Sequence, residues 1–247
     1  MNNIRRDGRQ AGELRPLSFT RKFTRQAAGS VLVRSGETVV LCTCSVERVV
    51  PEFLEGTGKG WLTAEYSMLP GSTSKRKPRD RGGKTDGRGI EIQRLIGRAL
   101  RTCVSLELLG ERTLHIDCDV LQADGGTRTA AINGAYLALL DALDQVRQMD
   151  PAFPTNSQLL SASVAAISVG LLNGMVLVDL NYLEDRDAEV DLNLVMTGGG
   201  RLIEIQAGGE EATFSRAHLD EMVGAGEVAI RQVVEHQAKA MLSDCEG

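Results

Sequence analysis

Residues 113–143 change hydrophobic period in mid-stretch, at a pair of adjacent glycines. "TLHIDCDVL" (113–121) alternates strictly, with Leu114, Ile116, Cys118 and Val120 on one face and His115, Asp117 and Asp119 on the other. After Ala123-Asp124-Gly125-Gly126-Thr127-Arg128, the apolar residues Ile132, Ala135, Tyr136, Leu139, Leu140 and Leu143 recur at helical spacing. The pattern predicts a half-buried strand, a tight turn, and a helix running to about 143. A strand that feeds a largely apolar helix must bury that helix against a sheet, which points to a layered α/β fold.

The glycine turn has two readings. Glycine supplies backbone freedom for a simple strand-to-helix reversal. The same Gly125-Gly126 also lets a ligand approach closely, the helix N-terminus directs N–H groups outward, and Thr127 and Arg128 add a hydroxyl and a fixed positive charge. The second reading makes the turn an anion site.

The rest of the chain supplies comparable units. "GSVLVRSGETVVLCTCSVE" (29–47) reads as a β-hairpin around Ser35-Gly36, and "GWLTAEYSML" (60–69) as a further strand. The segment 70–89 has five glycines, two prolines and many bases, and reads as a long, mobile, basic loop. Ile92, Leu95, Ile96, Ala99, Leu100, Cys103 and Val104 then follow at helical spacing, with Arg94, Arg98 and Arg101 as a polar stripe. "MDPAFPTN" (149–156) is the one hinge candidate. Beyond it come a strand through 172, an Asn173-Gly174 hairpin turn, paired strands around Gly198-Gly199-Gly200, and a final helix capped by Ser215. The expected organisation is two α/β halves, 1–150 and 151–247, forming one compact unit.

Charge is segregated. Residues 1–25 carry seven Lys/Arg against two acids, and residues 75–101 carry ten against three, whereas the net charge of all 247 residues is −5. Local basic surface of this strength fits a polyanion, against the alternative of a solvated linker and an ordinary charged helix. Five cysteines at 42, 44, 103, 118 and 245 form no CxxC pair and read as small buried hydrophobes. No run approaches a membrane span, and the opening residues lack the apolar core of a signal peptide, so a cytoplasmic protein without membrane association is expected.

The sequence contains no GxxxxGK[ST], GxGxxG, HExxH or GxSxG motif, and nothing nominates a protein nucleophile paired with a histidine. An attacking water or substrate anion is the alternative. "YLEDRDAEVDLN" (182–193) places Glu184, Asp185, Asp187, Glu189 and Asp191 within eight residues. If extended, four of these fall on one side and suit Mg²⁺, which takes one or two carboxylates and keeps waters for a phosphate; a solvated charged loop is the other reading. Anion turn, carboxylates and basic segments together are the parts of a phosphoryl-transfer site acting on nucleic acid.

"GWLTAEYSMLP", "EIQRLIGRALR", "IDCDVLQADGGTRTAAINGAY" and "EVDLNLVMT", with the N-terminal "DGR…ELRP", closely resemble the ribonuclease PH family over roughly residues 5–240. The resemblance implies a subunit like the second domain of ribosomal protein S5, assembled as a homohexameric ring, a trimer of dimers. It implies 3′→5′ phosphorolysis of tRNA precursors and other RNA 3′ ends, not DNA, with inorganic phosphate as nucleophile and nucleoside diphosphates as products. By the same resemblance, Arg88, Gly126, Thr127 and Arg128 hold phosphate, and Asp185 and Asp191 hold Mg²⁺ or, for Asp185, act as general acid. Lys75, Arg76, Lys77, Arg79 and Arg81 become contacts to the tRNA body, with Arg94 and Arg98 as further RNA contacts. Three departures stand out: Arg88-Gly89 where Arg-Thr is usual, Asn133 in "INGA", and the 206–211 turn. A non-catalytic RNA-binding ring subunit and a hydrolytic nuclease are the rival functions.

Overall fold

The computed structural model describes residues 5–79, 87–209 and 212–243. Arg81, much of the basic loop's second half, and Cys245 lie outside the described residues. Among those described, the chain order is β1 (Leu17–Arg21), β2 (Gly29–Ser35), β3 (Thr38–Glu47), a 3₁₀ turn (Glu52–Leu54), β4 (Trp61–Met68), α1 (Gly87–Arg101), α2 (Leu106–Leu109), β5 (Thr113–Gln122) and α3 (Thr127–Met149). There follow α4 (Asn156–Leu159), β6 (Val164–Leu172), β7 (Met175–Val178), α5 (Tyr182–Asp187), β8 (Val190–Thr197), β9 (Leu202–Gly209) and α6 (Arg216–Leu242).

The first sheet has the order β1-β2-β3-β5-β4, the second β7-β6-β8-β9. Antiparallel hairpins build both, as short turns require, and the one parallel pair among the described strands is β4 with β5, joined through α1. The alternation read in 113–121 is realised: Leu114, Ile116, Cys118 and Val120 are buried against α1 and α3, and His115, Asp117 and Asp119 are half exposed. The predicted hairpins at 35–36 and 173–174 are present, the latter with positive φ at Asn173 and Gly174.

α3 runs six residues past the expected end and is buried on nearly every side. One side lies on β2 and β3 so closely that a Cβ at Gly134 would meet the Val33 Cγ2 at 2.3 Å. Another side meets the second sheet where β6 is open. β7 pairs only with 169–172, so the Asn133 amide takes the place of a strand, donating to the Ala166 carbonyl (2.9 Å) and accepting from its N–H (2.8 Å). Gln237 of α6 donates to the Val164 carbonyl (3.1 Å) next to it. The asparagine that departs from the family's usual residue therefore satisfies buried backbone that has no strand beside it.

The main core draws residues from both halves of the chain, and a second cluster joins β6 and β8 to α6. α6 begins at its Ser215 cap, whose hydroxyl accepts from the His218 N–H. Cys42, Cys44, Cys103 and Cys118 are buried free thiols, and burial pushes Cys103 up to about 12. Among the described residues, no helix is long and apolar enough to cross a membrane.

The N-terminal basic segment is not the polyanion surface its composition predicts. Arg5, Arg9 and Arg15 are buried, and with Arg21 they pair with Glu184, Asp7, Asp179 and Asp141. Four of the seven bases are thus spent on acids, all of which except Asp7 come from distant parts of the chain and are invisible to a local charge count.

Candidate active site

β4 and β5 run parallel, so the chain leaves both at the same end of the sheet. The basic segment from residue 70 and the glycine turn therefore emerge side by side, at the strand ends where α/β sheets commonly hold ligands.

Gly125 (φ 74°) and Gly126 (φ 60°) are both left-handed, and Gly126 is the N-cap of α3. A Cβ on Gly125 would lie 2.5 Å from the Leu180 carbonyl oxygen, so the turn is pressed against the segment leading into α5. Three groups hold it there. The Thr38 hydroxyl donates to the Gly125 carbonyl (2.7 Å), the Asp124 carboxylate accepts from the Tyr182 N–H (3.1 Å), and Arg15 donates to the Asp124 carbonyl while paired with Asp179 (2.7 Å). The result is a rigid helix start whose first N–H groups have no partner within the helix.

Arg88, Gly126, Thr127, Arg128, Asp185, Ala188, Asp191 and Asn193 line one polar cavity of about 140 Å³. The structure thus brings together the four residues expected to hold phosphate and the two expected to hold metal. Arg88 sits in the first turn of α1, not in a loop ahead of it. The Arg128 Nη1 is bound by Glu91 (3.1 Å) and Gln206 (3.0 Å). Two acceptors on one terminal nitrogen leave the Nε–Nη2 edge of the guanidinium for a ligand.

The acidic stretch is not extended, and its five carboxylates do not share a face. Asn181 caps α5, exchanging hydrogen bonds with Glu184 in a capping box. Glu184 is then buried, bonded by the Arg5 Nε (2.6 Å) and paired with Arg9 (3.5 Å). Asp187 pairs with Arg186 (2.7 Å), and Glu189 accepts from the Asn173 N–H (3.0 Å). Arginines pair with Glu184 and Asp187 and a backbone N–H holds Glu189, and of the five carboxylates only Asp185 and Asp191 line the cavity. Among the described residues, no group of three or more His, Cys, Asp or Glu side chains can hold a metal ion. Two carboxylates beside an anion site do suit an ion that keeps most of its waters.

Of the expected RNA contacts, Lys75, Arg76 and Arg79 are exposed on the segment after β4. Lys77 and Arg79 line a groove of about 620 Å³ that shares Arg88 with the polar cavity and includes Tyr66 and Asp119. Arg94 is exposed on α1. Arg98 is engaged by Glu204 (Nε to Oε2, 3.1 Å), and Arg101 donates to the Leu62 carbonyl (2.8 Å) and covers the Trp61 ring (4.9 Å). The arginine stripe is therefore partly structural.

Sequence reasoning did not nominate Tyr66, Glu91, Asn193 or Gln206. Asn193 was accessible from spacing alone, since it lies two residues after Asp191 on one strand face. Glu91 and Gln206 come from α1 and β9 and carry no local signal. The Tyr66 hydroxyl donates to the Thr127 Oγ1 at 2.8 Å. Burial pushes the phenol above its ordinary range, and the charges of Arg88 and Arg128 oppose that shift.

Comparison with known proteins identifies the family of the chain. The model described as "3′ exoribonuclease family, domain 1" matches residues 13–143, and that for domain 2 matches residues 162–229. Ribonuclease PH of Rhodopirellula baltica is 51% identical over 245 residues, covering 98% of this chain and 99% of the relative. Ribonuclease PH of Bacillus subtilis is 52% identical over 243 residues, covering 98% of each chain. Among solved structures, rice Rrp46 superposes with a TM-score of 0.76 at 22% identity, covering 95% of this chain and 98% of that one. A chain of the Archaeoglobus fulgidus exosome with RNA bound to the active site gives 0.80 at 21% identity, with 94% and 92% covered. The structural likenesses show the fold. The family models and the full-length identity show more: the chain belongs to the ribonuclease PH group of the 3′ exoribonuclease family, phosphate-dependent 3′→5′ exoribonucleases and nucleotidyltransferases acting on tRNA.

Proposed function

We propose that the cavity between the α3 N-terminus and α5 is the phosphorolytic centre, with inorganic phosphate seated on Arg88, Gly126, Thr127 and Arg128. The observation that carries this is the convergence of two arginines, a glycine N-cap and a hydroxyl in one small polar cavity facing two aspartates. A dianion there meets fixed positive charge and helix N–H groups that need no reorganisation. In the reaction, a phosphate oxygen attacks the phosphorus of the terminal phosphodiester. The bond to the penultimate 3′ oxygen breaks, a nucleoside 5′-diphosphate leaves, and the 3′ oxygen takes up a proton.

The Arg128 Nε–Nη2 edge and Arg88 orient the nucleophile, and the Thr127 hydroxyl donates to it. Asp185 and Asp191 are the pair that would hold Mg²⁺; such an ion, when bound, offsets charge on the scissile phosphate. Asp185 alternatively supplies the proton to the leaving 3′ oxygen. Lys77 and Arg79, with Lys75, Arg76, Arg94 and Arg98, form the track for the RNA of a tRNA precursor rather than DNA. Family membership supports assembly as a homohexamer (a trimer of dimers) and a cytoplasmic setting; light scattering is expected to give about six times the 26.6 kDa chain mass.

The test is incubation of a labelled tRNA precursor with and without phosphate. Nucleoside diphosphates that appear only with phosphate support the proposal. Monophosphates released regardless of phosphate indicate hydrolysis, and absence of any product indicates a binding subunit; either result rejects it.

A further inference from the structure

We infer that Tyr66 is a positioning residue for phosphorolysis: its hydroxyl turns Thr127 into a hydrogen-bond donor aimed at the attacking phosphate. The inference rests on the phosphate seat proposed above and deepens it.

A threonine hydroxyl has one proton and two acceptor positions, and in isolation it rotates to suit whatever group is nearest. At the first turn of a helix it has an alternative: to bond backbone locally and offer a ligand nothing but lone pairs. Here rotation is constrained. Tyr66 lies on β4, on the buried face it shares with Leu62 and Ala64, and the parallel register sets it beside Cys118 near the end of β5. From there the phenol reaches across to the start of α3 and donates to the Thr127 Oγ1 at 2.8 Å. Among the described residues this is the one hydrogen bond of the Thr127 hydroxyl to another part of the chain, and it occupies a lone pair. The Thr127 proton is therefore left to point elsewhere, and Thr127 lines the cavity with Arg88 and Arg128.

The direction of the bond matters. A phosphate dianion, HPO₄²⁻, carries one P–OH and three unprotonated oxygens, so a hydroxyl that faced one of those three with a lone pair would repel it. A buried phenol beside two arginines keeps its donor role toward Thr127 while the arginines meet the anion directly. Tyr66 does not itself line the phosphate cavity, and its effect on phosphate runs through Thr127.

The experiment is a double-mutant cycle read on the phosphate dependence of phosphorolysis by the full-length enzyme. Tyr66→Phe removes one oxygen and keeps the ring. It is expected to raise the phosphate KM about three- to tenfold, with the KM for RNA and the melting temperature little changed. Thr127→Val is expected to raise the phosphate KM at least as much. Tyr66→Phe added to Thr127→Val then has no further effect, whereas added to Thr127→Ser, which keeps the hydroxyl, it retains its full effect. If Thr127→Val raises the phosphate KM and Tyr66→Phe leaves it unchanged, or if the two effects multiply, the inference is overturned and the phosphate seat stands. If Thr127→Val itself changes nothing, the seat as proposed is wrong and the inference falls with it.

Should Tyr66→Phe fold poorly, 3,5-difluorotyrosine at position 66 provides an isosteric probe with a more acidic hydroxyl. The phosphate KM is then expected to rise at lower pH than in the unmodified enzyme, because the donor proton is lost earlier. An unshifted profile overturns the inference.

Discussion

Arg5 and Glu184, 179 positions apart, form a buried ion pair that ties the N-terminal segment to the helix carrying Asp185. The Arg5 Nη1 also donates to the Val178 carbonyl at 2.6 Å, so one guanidinium fastens both β7 and α5. Glu184→Gln preserves shape but leaves Arg5 without a counter-charge. Breaking a buried pair in this way costs about 3–5 kcal/mol. Urea denaturation is expected to show that loss, and phosphorolysis to slow because α5 no longer holds Asp185 in place. Unaltered stability would mean that the pair is solvated in solution.

Asn133 satisfies both backbone groups of Ala166, at 2.9 and 2.8 Å. Asn133→Ala leaves a buried N–H and a buried carbonyl unpaired, each worth about 1–3 kcal/mol. The midpoint of chemical denaturation should fall accordingly, while the phosphate KM of the folded fraction remains that of the parent enzyme.

The two glycines of the turn are expected to differ in tolerance. Gly126→Ala meets left-handed strain of about 1–2 kcal/mol, and its Cβ would lie 3.0 Å from the Arg15 Nη2. Gly125→Ala adds to the same strain a Cβ 2.5 Å from the Leu180 carbonyl oxygen, a backbone atom that cannot swing aside. Thermal melts should therefore rank Gly125→Ala as the more damaging change.

Arg128→Lys retains charge and loses the fork. An ammonium cannot bind Glu91 and Gln206 and still present a two-donor edge to phosphate. The phosphate KM is expected to rise about ten- to hundredfold, with tRNA affinity preserved. A titration of phosphate at saturating RNA measures the first quantity, and filter binding the second.

On the outer face of the first sheet, Glu65 stands directly opposite Asp117. Burial first, then Glu65, raises the carboxyls of both Asp117 and Asp119. A raised carboxyl binds its proton more tightly in the folded state than in the unfolded one. The charged form therefore penalises the fold above the folded value, and the penalty disappears as pH falls below the unfolded value. Glu65→Gln is expected to stabilise the protein at neutral pH by about 0.2–1 kcal/mol. Melting curves near pH 4 and below should show that gain fading.

The local elements were readable because their signals are local. Alternation in 113–121, helical spacing from Ile132, the Asn173-Gly174 turn and the Ser215 cap each depend on residues within a few positions, and each has its expected form. The glycine turn and its Thr127-Arg128 pair were legible for the same reason, and the family resemblance supplied their companions Arg88, Asp185 and Asp191. The charges resisted such reading. Five acids between 184 and 191 looked like one cluster, yet Glu184 belongs to Arg5, Asp187 to Arg186 and Glu189 to the turn at Asn173. Likewise Arg98 faces Glu204, and Arg128 is steadied by Glu91 and Gln206. Period and turn chemistry act along the chain, so the sequence alone determined where the elements just named form. A side-chain charge or hydroxyl acts through space over a few ångströms. Which carboxylates line the cavity proposed as the phosphate seat, and that Tyr66 reaches Thr127, was decided only when packing brought distant segments together.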